Sequence, residues 1–242
     1  MSPLRKTALA AGVLYILTFV SIPTLALYGP VKGANYILGT GPDTAVIVGG
    51  ILEVIVALAG IGTAVALFPV LKRQNEGVAL GFVGSRVLEA AGILAGVACL
   101  LAIVSLRQAG VGAAGLVIGQ TLAVMYNRIF LLSQSLMPIV NDLLLGFLLY
   151  QSRLVPRVLP LLAFIGAALL LASDIGVWFN LWGQTSTVTA LLALPVALFE
   201  FSLGVYLIVK GFKPSPILSS SYVGEGDAFL GTRGNVNVAP TD

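Results

Sequence analysis

The chain has 242 residues, 58% of them hydrophobic and 10% charged, with a net charge of +3 and a mean hydropathy of +1.02. Soluble domains carry about 25% charged residues, so these values exclude an ordinary water-soluble fold and make the lipid bilayer the natural solvent. The small basic excess is explained by its placement between apolar runs, and no nucleic-acid partner is needed.

Six runs are long enough to cross a hydrocarbon core of about 30 Å, which takes about 20 helical residues. They cover 8–28, 44–71, 77–106, 127–150, 157–180 and 187–209. The runs are continuously apolar and do not alternate, which predicts helices rather than a barrel. Before the first, Arg5 and Lys6 resemble the basic start of a signal peptide. The run is longer than a signal core and no small-x-small cleavage site follows it, so a retained helix is expected. The second and third runs exceed the minimum and predict tilt or extension beyond the bilayer.

The stretch 108–126 is apolar enough to suggest a seventh crossing. Its glycines at 110, 112, 115 and 119 weaken a regular helix, which predicts an interfacial or partly embedded segment on the outer face. In the fourth run, Ser133, Gln134, Ser135, Asn141 and Asp142 crowd around Pro138. A proline frees backbone carbonyls and kinks the helix, giving either a broken helix that lines a cavity or a kinked packing helix. Pro195 before Glu200 repeats the pattern in the sixth run. Beyond 213 the chain turns rich in Ser, Gly, Pro and Asn. Such a segment buries too little apolar surface to order itself, which predicts a membrane domain over 1–213 and a disordered cytoplasmic tail over 214–242.

Lys and Arg placement predicts orientation. With six crossings, Arg5, Lys6, Lys72, Arg73, Arg153, Arg157, Lys210 and Lys213 fall on one side, against Lys32, Arg107 and Arg128 on the other. The expected fold is therefore all-α: a polytopic, multi-pass protein of the cell membrane with six transmembrane helices and both termini cytoplasmic.

Much common chemistry is excluded. The chain contains no histidine, which removes His-ligated metals, His triads and His proton relays. Cys99 is its single cysteine, expected as a small core residue, and no GxxxxGK[ST] phosphate loop occurs. No cofactor or metal is implied.

The remaining candidates are charges inside the spans: Glu53, Arg86, Glu89, Asp142, Asp174 and Glu200. An Asp, Lys or Arg at a helix centre costs about 2.5–3.5 kcal/mol to insert, and such groups are functional candidates by default. Glu89 shares a helix face with Gly77, Gly81, Ser85, Gly92 and Gly96, and Glu53 with Gly49, Ala57, Gly60 and Ala64. Small residues mark helix contacts in membranes, so these acids are expected to face the interior. Asp142 and Glu200 have similar small neighbours, and Asp174 fewer. The GxxxG steps at Gly77/Gly81 and Gly92/Gly96 suit packing within the chain or self-association.

Arg86 and Glu89 are three residues apart, near enough to pair on one face, and Glu53 or Glu200 is expected to share the guanidinium from another helix. Five acids against one arginine leave an acidic excess. That suits a site for protons or for a cationic or hydrogen-bonding solute, and equally neutral acids donating between helices.

Five stretches carry a resemblance: "RKTALAAGVLY", "FPVLKR", "SRVLEA", "LLYQSRLVPR" and "LFEFSLGVYLIVKGF". In order and spacing the chain over 4–212 resembles the bacterial and archaeal membrane family known only as domain of unknown function 4386, from whose usual ending the polar tail departs. The resemblance maps recurring positions onto Arg86, Glu89, Ser152, Arg153, Pro156, Arg157 and Glu200. It implies the membrane fold and carries no activity.

Three function classes are compatible with these residues. The first is a small-solute transporter or permease-like protein, handling a small solute or protons at a midplane site of Arg86, Glu89, Glu53 and Glu200. The second is a structural or regulatory membrane component whose charges clamp the helices. The third, an intramembrane enzyme, needs Asp142 and Asp174 as a carboxylate pair and lacks a visible nucleophile–base set, so the expected protein is not an enzyme.

Overall fold

A computed structural model describes residues 1–219. Helix α1 runs Pro3–Leu17, started by the Ser2 side chain, which accepts from the Arg5 backbone N–H, and by proline in its first turn. A 3-10 turn (Thr18–Ser21) and the short α2 (Thr24–Leu27) complete the first crossing. Helices α3 (Thr44–Leu71) and α4 (Glu76–Gln108) have 28 and 33 residues, about 42 and 50 Å at 1.5 Å per residue. Both outrun the hydrocarbon core, as expected. Asn75 caps α4 by accepting from Val78 N–H at 3.0 Å.

The stretch 108–126 differs from expectation. Gly110 and Gly112 form the turn, with φ of +66° and +60°. Gly115 and Gly119 leave the next helix intact: α5 (Leu116–Phe130) is regular and leads without a break through a π-helical turn (Leu131–Leu136) into α6 (Met137–Ser152). The missing Cβ atoms serve packing, since a Cβ on Gly119 would lie 2.3 Å from Ile37. The segment is continuous with the fourth candidate span, 41 residues over Gly112–Ser152, and among the described residues six helices are long and apolar enough to cross a membrane. The expected interruption near Pro138 is the π turn. Arg153 closes α6 in the left-handed region at φ 56°. Helices α7 (Val158–Trp178) and α8 (Thr187–Val209) form the last hairpin, with Ser186 capping α8.

Each long helix packs on its neighbours in sequence, and α1 also packs on α8. The result is a closed ring in the order α1, α3, α4, α5–α6, α7, α8, with alternating direction and both termini at one end. Its outer surface is apolar: Leu80, Val87, Leu94 and Leu101, seven residues apart on α4, are all exposed. The charged Arg86 and Glu89 of the same helix are buried, the arrangement expected when lipid surrounds the bundle.

The two ends of the ring are filled differently. At the terminal end a continuous core joins Ala8 and Ala11 to Leu67, Phe82, Leu145, Phe199 and Leu203. At the other end the α2–α3 connection folds over α4 and α5, burying Val31 and Ile37 with Ile103, Ala123, Tyr126 and Cys99.

Beyond 213 the described chain stays in contact with the bundle for six residues. Lys213 N–H donates to the Leu154 carbonyl at 2.8 Å and Ser215 Oγ to the Ser152 carbonyl at 2.5 Å, while Ile217 and Leu218 pack on the terminal core. Residues 214–219, ending in α9 (Pro216–Ser219), are docked because the α6–α7 turn offers unused carbonyls beside an apolar surface. The rest of the expected disordered tail, 220–242, lies outside the described residues.

Candidate functional site

The spacing of Arg86 and Glu89 places both on the inner face of α4. Arg86 Nη1 donates to Glu89 Oε2 at 3.0 Å, and Nη2 to Glu200 Oε1 on α8 at 2.6 Å and to the Tyr15 hydroxyl on α1 at 3.3 Å. The rings of Tyr15 and Phe82 lie 5.5 and 5.7 Å from the guanidinium carbon. From α6, Asn141 Nδ2 donates to Glu89 Oε2 at 2.7 Å and Asn141 Oδ1 accepts from Ser85 Oγ at 2.5 Å. One cation thus ties four helices together. Asp142 is fully buried in electrostatic range of Glu200, Arg86 and Glu89. Among the described residues neither of its carboxyl oxygens, nor Arg86 Nε, has a hydrogen-bond partner.

Glu200 is therefore the expected partner from another helix, and Glu53 is not. Gly60 of α3 faces Arg86, and Glu53 lies seven residues away on α3, about 10 Å along the axis. It belongs to a second centre, where its Oε1 accepts from the Tyr126 hydroxyl at 3.0 Å and from Gln134 Nε2 at 3.3 Å. Above it Lys32 Nζ sits 4.5 Å from the centroid of the Tyr126 ring. The Tyr28 hydroxyl lies close to Glu53 yet makes no hydrogen bond of normal geometry.

Asp174 occupies a third position, accepting from Ser135 Oγ at 2.5 Å. Ser135 and Asp142 are seven residues apart on the same long helix, about 10 Å of rise. Asp142 and Asp174 thus sit at different depths and do not form the carboxylate pair that the enzyme reading requires. Among the described residues no group of three or more acids or cysteines is arranged to hold a metal ion.

The partners of the two upper acids, Tyr126 and Gln134 of Glu53 and Ser135 of Asp174, share a cavity of about 720 Å³ with Arg86, Glu89 and Glu200, while Glu53, Asp142 and Asp174 themselves lie buried behind its lining. Arg86, Glu89 and Glu200 lie at its closed end above the terminal core, with Val56, Ile93, Phe130 and Val196 on its walls. Lys32 and the α7–α8 turn, Gln184 to Ser186, lie at the opposite end. Gln134, Ser135 and Pro138 line it from the π turn and the start of α6, so the interrupted helix does border a cavity. Ser152, Arg153, Pro156 and Arg157 are elsewhere, in the turn at the terminal end, where Arg157 lies over the Tyr150 ring at 4.9 Å.

Tyr15, Tyr28, Lys32 and Tyr126 are site residues that sequence reasoning misses. The tyrosines are single polar tips in apolar runs with no local signal. Lys32 reads in the sequence only as a charge marking orientation.

Outside the spans a separate network holds the α2–α3 connection. Arg107 pairs with Asp43, donates to the Gly41 carbonyl and lies under the Tyr36 ring, 4.4 Å away. Asp43 also accepts from Tyr36 at 2.6 Å and from Gln108 at 2.9 Å. Burial pushes the Asp43 carboxyl up, but the donors Tyr36, Gln108 and Arg107 outweigh it and hold the group below its ordinary value.

A closed ring of six apolar helices around a buried arginine–carboxylate centre defines a multi-pass, all-helical membrane protein. The chain belongs to the family described as Domain of unknown function (DUF4386), which it matches over residues 10–211. That range includes the Arg86 network, the Glu53 centre and Asp174, and ends before the docked segment 214–219. No curated protein and no solved structure matches the chain.

Proposed function

We propose that the protein is a small-solute transporter or permease-like carrier of the cell membrane, with its termini in the cytoplasm and its cavity opening outward. One observation carries this reading. The Arg86–Glu89–Glu200 network lies at the bottom of a cavity that reaches the far end of the ring, while the terminal end is packed shut. A protein using these charges only to bind its helices would have no need to leave some 720 Å³ above them. Glu89 and Glu200 retain side-chain exposures of 11% and 14% against 3% for Arg86, so the acids are the groups offered to a solute. The same network supports a second reading, the structural clamp, because Arg86 is held by two carboxylates and a phenol from three helices.

Access to the floor separates the two. In a Cys99→Ser background, Ala197→Cys, one turn from Glu200 on the cavity wall, should react with a charged, membrane-impermeant thiol reagent added outside intact cells. Arg153→Cys should not react from that side. An inert Ala197→Cys beside a reactive Thr189→Cys nearer the mouth would mean a dry floor and favour the clamp. Labelling of Arg153→Cys from outside would overturn the orientation.

A further inference from the structure

The upper centre has its own chemistry. Tyr126 presents a ring face whose hydroxyl donates to Glu53 Oε1, and a phenol that donates to a carboxylate becomes a more electron-rich partner for a cation. Tyr28 meets that ring edge-on at 5.5 Å, and Phe130 lies at 6.2 Å. Two buried polar groups beside it, the Tyr28 hydroxyl and Glu53 Oε2, make no hydrogen bond of normal geometry among the described residues, although the Tyr28 hydroxyl lies close to Glu53. Tyr28, Tyr126, Phe130 and Gln134 all line the cavity. An aromatic face backed by a carboxylate attracts organic ammonium groups. The apolar walls below suit the carbon body of such an ion better than a bare metal cation, which needs several oxygens. An ammonium group already occupies the position, since Lys32 Nζ lies over the Tyr126 ring at 4.5 Å. Lys32 is carried by a short 3-10 turn, Pro30–Lys32, in the extramembrane connection and is followed by exposed residues, which leaves its side chain free to swing out.

We propose that Tyr28, Glu53, Tyr126 and Phe130 form a binding site for organic ammonium ions, and that Lys32 is a tethered occupant which an incoming ligand displaces. The proposal rests on the reading of the cavity as a solute site and names the class of solute. The charges agree with it: Glu89 and Glu200 line this space against Lys32 and Arg86, Glu53 stands buried behind the Tyr126 ring, and Arg86 is already engaged by two carboxylates. Burial pushes the Lys32 ammonium down from its ordinary value while Glu53 pulls it back up, as for a cation lent to a partly enclosed site.

The test is equilibrium binding to the purified full-length protein in detergent, with benzylammonium as probe and benzyl alcohol and benzoate as neutral and anionic controls. Benzylammonium should bind, and Lys32→Met should bind it roughly tenfold tighter if Lys32 fills the site about nine-tenths of the time, because apparent affinity scales with the competent fraction. Tyr126→Leu should lose binding. Should Lys32→Met melt early, benzylammonium should raise its melting temperature more than that of the parent. Equal affinity in parent and Lys32→Met, no extra thermal rescue, or benzyl alcohol binding as well as benzylammonium would each overturn the proposal. Failure here is distinct from failure of the carrier reading. A reactive Ala197→Cys with no benzylammonium binding removes the ammonium site and leaves the solute cavity, whereas an inert Ala197→Cys with retained binding does the reverse.

Discussion

Arg86 on α4 and Glu200 on α8 meet at 2.6 Å although their helices stand diametrically opposite in the ring, three places apart in either direction. The pair is a brace across the interior just above the packed terminal core. Breaking a buried ion pair from one side costs about 3–5 kcal/mol, whereas removing all partners together can be nearly neutral. Arg86→Leu should therefore lower the melting temperature sharply. Adding Glu89→Leu and Glu200→Leu to it should restore much of the loss. Parent-like stability of Arg86→Leu alone in detergent would contradict the brace.

The ring is closed by a crossing that tolerates no side chain. A Cβ on Gly12 would stand 2.7 Å from the Gly204 carbonyl oxygen and 2.9 Å from the Ile208 nitrogen, backbone atoms that cannot turn aside. Gly12→Leu should cost at least about 1–3 kcal/mol through overpacking and separate α1 from α8. Gly84→Leu, on the lipid face of α4 with nothing within 4 Å, is the control and should melt like the parent. Equal melting of the two variants would show that the crossing is not tight.

Asp43 links pH to the hold of the α2–α3 connection on the end of α4. Its carboxyl is held below its ordinary value of about 3.9, so the stability it contributes is complete above that value and is lost as pH falls through the lower folded-state value. Pepsin should thus cut within residues 28–43 far faster at about pH 2.5 than at about pH 5, beyond the enzyme's own pH dependence. Asp43→Asn, which has no carboxylate to lose, should be cut readily at both. A parent protein with no such difference would rule out this linkage.

The docked segment 214–219 can be weighed by comparing two truncations. A chain ending at Lys213 lacks the Ser215–Ser152 hydrogen bond and the contacts of Ile217 and Leu218, together worth about 2 kcal/mol. It should melt several degrees below a chain ending at Ser219. Identical melting would mean that the docking contributes nothing.

Much of this architecture is present in the residue pattern, and the misses have definite causes. Run length locates the six spans, and the three-residue step locates the Arg86–Glu89 pair. Glu53 looks like a partner of Arg86 because both share faces with small residues, but a face says nothing about depth. The short α3–α4 turn supplies the depth: in an antiparallel hairpin ending at Leu71 and resuming at Glu76, Arg86 lies opposite position 61, beside the observed Gly60, and Glu53 lies near position 94. The same arithmetic across the α6–α7 turn brings Ser135 to Asp174. No such arithmetic reaches from α1 to α8 or from Arg86 to Glu200, because ring closure depends on the summed geometry of five hairpins. The regularity of α5 escapes a reading that weighs glycine as a weak helix former, when its value there lies in admitting Ile37.

The span of 114 residues between Arg86 and Glu200 also bears on biogenesis. At about 5–20 residues per second, α4 leaves the ribosome roughly 6–23 s before Glu200 exists, so Arg86 must enter the translocon without its partner from α8. Glu89 is one turn away and arrives in the same helix, and Asn141 on α6 comes to hold Glu89 in turn. Glu89 is thus an escort during synthesis as well as a partner in the finished ring. In a chain truncated before α8, Glu89→Leu should improve the insertion of α4 less when Arg86 is present than in an Arg86→Leu background, and equal gains in the two backgrounds would show that the arginine crosses unescorted.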